Sequence, residues 1–476
     1  MKKFLEHKHY YLVGIKGVAM TAMATCLLDV GKKISGSDVE GEFVTQPILN
    51  KNQIQIDVGF ENELSKEIDC LIYTAAHQGK QNPQVQAAIK KKIPVYSHAE
   101  ALSFLFNSKK GVAVCGVGGK SSVSAMIAWI LEHTNQKPSY AVGVGKIIDL
   151  PLTGRYREDS KVFVVEADEY AANPVEIQDG EKLIPRFSYL KPKVVVCTNL
   201  AFDHPDVYKD FAHTKEVYKT FFKQIKEGGT LIYNMDNAAL VKLVSEVKKE
   251  NKKIKNYISY GESKKADFQL AKFEAQRGLS KGTYTFNKES FEIQLSIPGK
   301  FNILNAVAAI AAVHSTNPKI KSSDAISKFR STKRRFEFID KKNGVTYYDD
   351  YAHHPSEVKV AITALNDWYP NSRKVIAFQS HTFSRTKELF DDFVDAFAEA
   401  KEVVMIDIFA SAREKSDVSV SSETLCKAIR KKYPKIKAQN LKTIKKLATF
   451  CKQELKSGDV MITLGAGDIY EVHTIV

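Results

Sequence analysis

Residues 112–122 read Val112-Ala113-Val114-Cys115-Gly116-Val117-Gly118-Gly119-Lys120-Ser121-Ser122, an apolar strand running into a glycine turn, a lysine and two hydroxyls at a helix start. Gly116, Gly118 and Gly119 let backbone amides approach phosphate oxygens, Lys120 adds a positive point charge, and Ser121 offers a hydroxyl to Mg²⁺. The helix that begins here turns the positive end of its dipole toward the same place. A standard phosphate loop carries its first glycine where Val114 stands, so the pattern is the variant Gly-x-Gly-Gly-Lys-Ser. Strand, loop and helix together predict an α/β fold with a nucleoside triphosphate site at Gly116, Gly118, Gly119, Lys120, Ser121 and Ser122.

The alternation extends in both directions. Upstream, Tyr10-Tyr11-Leu12-Val13 leads through the turn Gly14-Ile15-Lys16-Gly17-Val18-Ala19-Met20 into an apolar helix reaching Leu28. Lys16 and Ala19 occupy the second and third glycine positions of the dinucleotide fingerprint, which disfavours a plain NAD site. The turn either presents the amides of Gly14, Ile15, Lys16 and Gly17 to a diphosphate or is purely structural, and Ser37 and Asp38 at the next strand end offer a hydroxyl and a carboxylate to a nucleotide sugar. Strands at 70–74 and 94–96 continue a parallel sheet, giving a Rossmann-like first domain over 1–108. A larger central domain over 109–330 holds the phosphate loop, strands at 162–165, 194–198 and 230–234, a β-rich stretch 268–298 and an alanine-rich helix 305–313. After the basic run 330–335 the alternation restarts at 345–349, 375–379, 402–408 and 460–464, which sets a third α/β domain over 331–476.

Composition excludes several classes. The 476 residues exceed one hydrophobic core, and 44% hydrophobic with 26% charged residues is an ordinary globular balance. No apolar run approaches the ~20 residues of a membrane span, and the N-terminal residues lack an apolar signal core, so a cytoplasmic protein is expected, with no membrane partner. The net charge of +15 comes from lysines spread along the chain without an arginine-rich tail or an aromatic–basic motif, so no nucleic-acid partner is expected. Six cysteines without a Cys-x-x-Cys pair read as buried reduced thiols.

Further chemistry gathers at strand ends. Glu166-Ala167-Asp168-Glu169 follows an apolar strand at the sheet edge where open α/β folds collect ligands, and Glu166 with Ser121 offers oxygen ligands to one Mg²⁺. His204, in Asn199-Leu200-Ala201-Phe202-Asp203-His204, is a second candidate ligand. Asp349-Asp350-Tyr351-Ala352-His353-His354-Pro355 opens a further site, and Arg385, in His381-Thr382-Phe383-Ser384-Arg385-Thr386, is suited to grip a substrate carboxylate.

Taken in order, the segments 14–20, 35–38, 116–122, 166–169, 199–204, 299–305, 334–337, 349–355, 378–385 and 465–469 resemble the bacterial Mur ligases over essentially the whole chain. The resemblance implies three domains that bind UDP-N-acetylmuramate, ATP and the incoming amino acid in turn. It implies an ADP-forming ligase that phosphorylates the lactyl carboxylate of UDP-N-acetylmuramate and passes the acyl group to L-alanine, in peptidoglycan precursor synthesis. On this likeness Lys120 stabilises the transferring phosphoryl group, Ser121 and Glu166 hold Mg²⁺, and His204 serves a second magnesium. Asn302, Asn305 and Arg335 join the ATP site, with Asp350 and Tyr351 toward the nucleotide. His353 and Arg385 stand beside the amino acid, and a monomer or homodimer is expected.

The chain departs from the family pattern at named places. Val117, Gly118 and Ser121 vary the loop, Phe301 replaces a histidine common before Asn302, and Phe60 replaces another in the first domain. Glu169-Tyr170-Ala171 is closer to the related ligase that recycles a preformed tripeptide, whereas 378–385 favours the alanine-adding pattern. Two alternatives therefore accompany the expectation: tripeptide recycling, and a non-catalytic nucleotide-binding homologue.

Overall fold

The computed structural model describes residues 2–178, 180–410, 417 and 419–476. Tyr10 to Val13 are buried without alternation, as in a strand covered on both faces. Strands β1 (His9–Val13), β2 (Lys33–Asp38), β3 (Gln55–Val58), β4 (Cys70–Tyr73) and β5 (Val95–Ser97) form an all-parallel sheet of order β3-β2-β1-β4-β5. The strand order reverses between β1 and β4, and the turn after β1 sits at that switch point, where such sheets open a ligand crevice.

The second sheet contains β6 (Lys110–Cys115), β7 (Ser139–Ala141), β8 (Gly154–Arg155), β9 (Val162–Glu166), β10 (Val194–Cys197), β11 (Gly229–Asn234), β12 (Ile254–Gly261), β13 (Phe268–Gln276), β14 (Leu279–Phe286) and β15 (Glu289–Leu295). Their order is β15-β14-β13-β12-β11-β10-β6-β9-β7-β8. The central strand β6 lies between parallel neighbours β10 and β9, so the C-terminal ends of three adjacent strands open on one place. Helix Lys300–Thr316, distant from this edge in sequence, packs across the sheet and against helix Lys120–His133. It is buried from Asn305 to Val313 and extends beyond the expected 305–313, because Gly299 caps it well upstream of that stretch.

The third sheet contains β16 (Glu337–Lys342), β17 (Val345–Asp350), β18 (Lys374–Phe378), β19 (Glu402–Ile406), β20 (Lys437–Lys442) and β21 (Val460–Leu464), in order β16-β17-β21-β18-β19-β20. Only β16 runs antiparallel. The edge strands β16 and β20 escape a hydropathy reading because both are polar and largely exposed.

Contacts between the units are specific. Ile148 and Lys333 donate backbone N–H groups to the Ser331 and Lys146 carbonyls at 3.0 and 2.9 Å, so the segment 331–333 pairs with the central loop 146–148. From the β13–β14 hairpin, Ser280 accepts from Trp368 Nε1 at 3.3 Å and Arg277 lies 5.2 Å over Tyr369. All six cysteines are buried and unpaired, and among the described residues no helix is long and apolar enough to cross a membrane.

Candidate active site

The glycines after β6 shape the loop 116–119, expected from the sequence to cradle phosphate. Gly116 has φ +121°, and a Cβ there would fall on Thr198 Oγ1; Gly119 has φ +79°, and a Cβ there would approach Asn305 Oδ1 to 3.0 Å. Both positions therefore demand glycine on conformation and space together. Thr198, at the end of β10, donates Oγ1–H to the Gly118 carbonyl at 2.7 Å and braces the loop. Helix Lys120–His133 starts immediately after it, with Ser121 and Ser122 buried in its first turn.

Lys120 Nζ reaches Glu169, donating at 2.9 Å to each carboxylate oxygen. Burial opposes the ammonium charge, but the carboxylates of Glu169 and Asp168 outweigh it and hold the lysine pKa above its ordinary value. Ser121 Oγ donates to Glu166 Oε2 at 3.0 Å and accepts from Arg335 Nη2 at 3.0 Å. Glu166 Oε1 accepts from the Gly143 N–H at 2.7 Å, and burial pushes this carboxyl up. His204, at φ +58°, places Nε2 3.8 Å from Glu169 and 3.5 Å from Asp203. Among the described residues, Asp168, Glu169 and His204 form a group whose ligand atoms lie within 4.8 Å of one another.

The third unit closes over this edge. His354 caps helix Pro355–Trp368 and contacts the Phe202 carbonyl through Nε2 at 3.3 Å. Glu357 accepts the N–H groups of His353 and His354 at 3.2 and 3.3 Å, and a Cβ on Gly118 would lie 3.0 Å from its Oε1. His353 is half-buried and its pKa is pushed down to about 4, desolvation dominating over the nearby Glu357 charge. Arg385 is buried at 3% exposure; Nε donates to Asp203 Oδ1 at 2.9 Å and Nη1 to the His381 carbonyl at 3.2 Å. Asp350 accepts backbone N–H groups from Phe336 and Ala352 at 2.8 and 2.7 Å, and burial raises its pKa to about 7. Tyr351 lies 5.1 Å from each of the Arg334 and Arg335 guanidinium groups.

A cavity of about 410 Å³ joins the units, lined by Val18 and Ala19 of the first, Lys120 and Glu166 of the second, and His353 and Glu357 of the third. Gly118, Gly119, Ser121, His204, Arg335 and Tyr351 also line it, whereas Gly116, Ser122, Asp350 and Arg385 stand behind the wall. Asn302 and Asn305 are buried in helix Lys300–Thr316 outside the cavity, with Asn302 donating to the Pro298 carbonyl at 2.8 Å.

The turn 14–17 differs from a free amide cradle. Gly14 and Ile15 donate to the Ser37 carbonyl at 2.8 and 3.2 Å, Lys16 N–H to Asp38 Oδ2 at 2.7 Å, and Gly17 to the Gly14 carbonyl at 3.2 Å. Lys16 Nζ bonds the Val39 and Gly41 carbonyls, and Ser37 Oγ donates to Gln84 at 2.5 Å. These groups stabilise the crevice wall, and of the segment 14–20 the residues that reach the cavity are Val18 and Ala19, at the start of helix Val18–Asp29.

Four positions join the site that the sequence reading gave no individual role: Glu169, Asp203, Glu357 and Arg186, whose Nη1 donates to Asp168 Oδ2 at 2.7 Å. Glu357 had a local signal, since a carboxylate three residues past a capping side chain closes a capping box. Arg186 had none, because no motif surrounds it.

Known proteins resemble this chain along nearly its whole length. The description "Mur ligase family, catalytic domain" matches residues 9–110, "Mur ligase middle domain" 114–313, and "Mur ligase, glutamate ligase domain" 334–467. The chain is 33% identical to the UDP-N-acetylmuramate–L-alanine ligase of Clostridium kluyveri, covering 98% of each, and 34% identical to that of Clostridium novyi, covering 98% of the chain and 96% of the relative. In fold it is similar to the UDP-N-acetylmuramate-alanine ligase of Thermotoga maritima, with TM-score 0.78, 23% identity and 98% of each chain covered. It is also similar in fold to a murein peptide ligase of Psychrobacter arcticus, with TM-score 0.69, 19% identity and coverage of 98% and 97%.

Proposed function

The chain belongs to the Mur ligase family, and from that membership we propose that it uses ATP to join L-alanine to the lactyl carboxylate of UDP-N-acetylmuramate, releasing ADP and phosphate in the cytoplasm. The observation that carries this reading is one cavity shared by the start of helix Val18–Asp29 in the first unit, the glycine loop after β6 and the His353–Glu357 segment, which lets one acid meet a nucleotide and then an amine.

The donor set fits a divalent cation. Ser121 Oγ and Glu166 Oε2 lie 3.0 Å apart at adjacent strand ends, and Asp168, Glu169 and His204 form the neighbouring cluster. Mg²⁺ held by Ser121 and Glu166, with His204 at a second ion, supplies neutralisation of phosphate charge when bound.

The chain's own groups do the rest. Lys120 and Arg335 place positive charge beside the loop, where the carboxylate attacks the γ-phosphate and negative charge accumulates on the transferring oxygens. The amine of alanine then attacks the acyl phosphate, phosphate leaves, and the amide forms. His353 is uncharged at neutral pH and lines the cavity, so it meets the incoming amine without adding positive charge there. Closure by Glu357, His354 and Arg385 keeps water from the acyl phosphate.

ADP release by purified protein with ATP, Mg²⁺ and UDP-N-acetylmuramate, comparing L-alanine, glycine, L-serine and the muropeptide tripeptide, tests the reading. Turnover that depends on L-alanine and is lost in Lys120→Ala is expected. Turnover with tripeptide alone moves the chain to recycling, and no turnover by folded protein overturns the catalytic reading.

A further inference from the structure

Arg186 opens the 3₁₀ turn Arg186–Tyr189 of the central unit and lines the cavity beside His98 and Ala19 of the first. Its Nη1 donates to Asp168 Oδ2 at 2.7 Å, its Nε to the Ala171 carbonyl at 3.2 Å, and its guanidinium lies 5.3 Å over the Tyr170 ring. These contacts fix the plane of the fork. Among the described residues none hydrogen-bonds Nη2, so one edge of a five-donor group is left over at a side chain 25% exposed.

The other cations of the cavity are engaged elsewhere. Lys120 is on Glu169, Lys333 on Glu337 at 2.7 Å, Arg334 on Asp349 and the carbonyls of Gly465 and Gly467, and Arg335 on Ser121 of the phosphate loop. On the side formed by the first unit, His98 is kept neutral at neutral pH by burial, with the Arg186 charge adding to the effect. Arg186 is the permanent positive charge that this wall offers.

Its position also links the two halves of the reaction. Asp168, which it grips, belongs to the carboxylate group around Lys120. Arg186 and Lys120 thus both act on the carboxylates at this side of the cavity.

We propose that Arg186 is a substrate-binding residue whose free edge takes an anionic oxygen group of the nucleotide sugar and positions the acid for phosphorylation. This rests on the ligase reading above. The group is either the free carboxylate or the diphosphate, both of which present paired oxygens to a guanidinium fork.

Calorimetric titration of the full chain with UDP-N-acetylmuramate and with UDP-N-acetylglucosamine, which keeps the diphosphate and lacks the carboxylate, separates the sources. Arg186→Met is expected to weaken UDP-N-acetylmuramate about tenfold, the scale of one lost charge-assisted pair, with ADP affinity unchanged and Arg186→Lys recovering part of the loss. A loss confined to UDP-N-acetylmuramate supports the carboxylate; a loss for both sugars supports the diphosphate. Wild-type affinity for both in folded Arg186→Met overturns the proposal and leaves the ligase reading standing. Wild-type protein that binds neither sugar overturns both. If Arg186→Met does not fold, Arg186→Lys decides: KM must rise for the nucleotide sugar and not for ATP, and equal changes in both overturn the proposal.

Discussion

Lys120 Nζ lies 2.9 Å from both carboxylate oxygens of Glu169, so the lysine of the phosphate loop is already paired within the protein. On the proposed reading, phosphate oxygens exchange with a buried carboxylate for this charge. Glu169→Gln leaves the ammonium without its nearest partner, a change that costs about 3–5 kcal/mol at buried pairs. The variant is expected to melt at lower temperature than wild type and to gain more from ATP in the presence of a chelator. Thermal melting with and without ATP checks this, and equal ATP shifts in the two proteins would contradict it.

Asp203 and Arg385 clasp the second and third units through a buried pair, with Nε and Nη2 of Arg385 each 2.9 Å from Oδ1. Burial alone would raise the Asp203 pKa, but His204 and then Arg385 overcome it and hold the carboxyl well below its ordinary value. Stability from this pair is therefore present above the unfolded pKa and lost as pH falls through the folded one. Asp203→Asn and Arg385→Met should each destabilise, and their double variant should lose less than the sum by about 1 kcal/mol or more. Urea unfolding of the four proteins measures the coupling, and additivity would remove the clasp from the account.

Asp350 carries the opposite sign. Burial raises its carboxyl from 3.8 to about 7, so the folded protein keeps a proton that the unfolded chain has released. Its contribution is full below the unfolded pKa and falls as pH rises toward the folded one. Across that window Asp350→Asn should gain on wild type by roughly 4 kcal/mol, the linkage value of such a shift. Parallel stability–pH curves for the two proteins would show that Asp350 does not titrate there.

Much of this architecture was legible in residue order, for a physical reason. Buried parallel strands must be apolar throughout, so β6, β9, β10 and β21 stand out, and the ligand groups at their ends follow within a few residues. Edge strands such as β16 and β20 carry no such constraint and were invisible. Contacts between units were also hidden: nothing local in Asp203 or Arg186 says which distant side chain it will meet. Lys16 shows a subtler failure, since the sequence reveals the departure from glycine but not that the ammonium would bind the Val39 and Gly41 carbonyls.

Phe301 gives the last expectation. It stands where the family commonly has histidine, and it packs against the apolar core of the third unit. A Cβ on Gly299 would meet its ring and come within 2.9 Å of Ala364 Cβ, so the start of helix Lys300–Thr316 and the middle of helix Pro355–Trp368 touch here. The first of these helices places Asn305 against Gly119, and the second places Glu357 against Gly118. One apolar contact thus joins two supports of the phosphate loop. Phe301→His puts a polar ring into that contact and should cost about 1–3 kcal/mol of docking energy. Amides of 355–368 should then exchange faster, turnover should fall several-fold, and affinity for UDP-N-acetylmuramate should hold. Hydrogen exchange followed by mass spectrometry, read beside turnover, tests the link; unchanged protection of 355–368 would show that Phe301 only fills space.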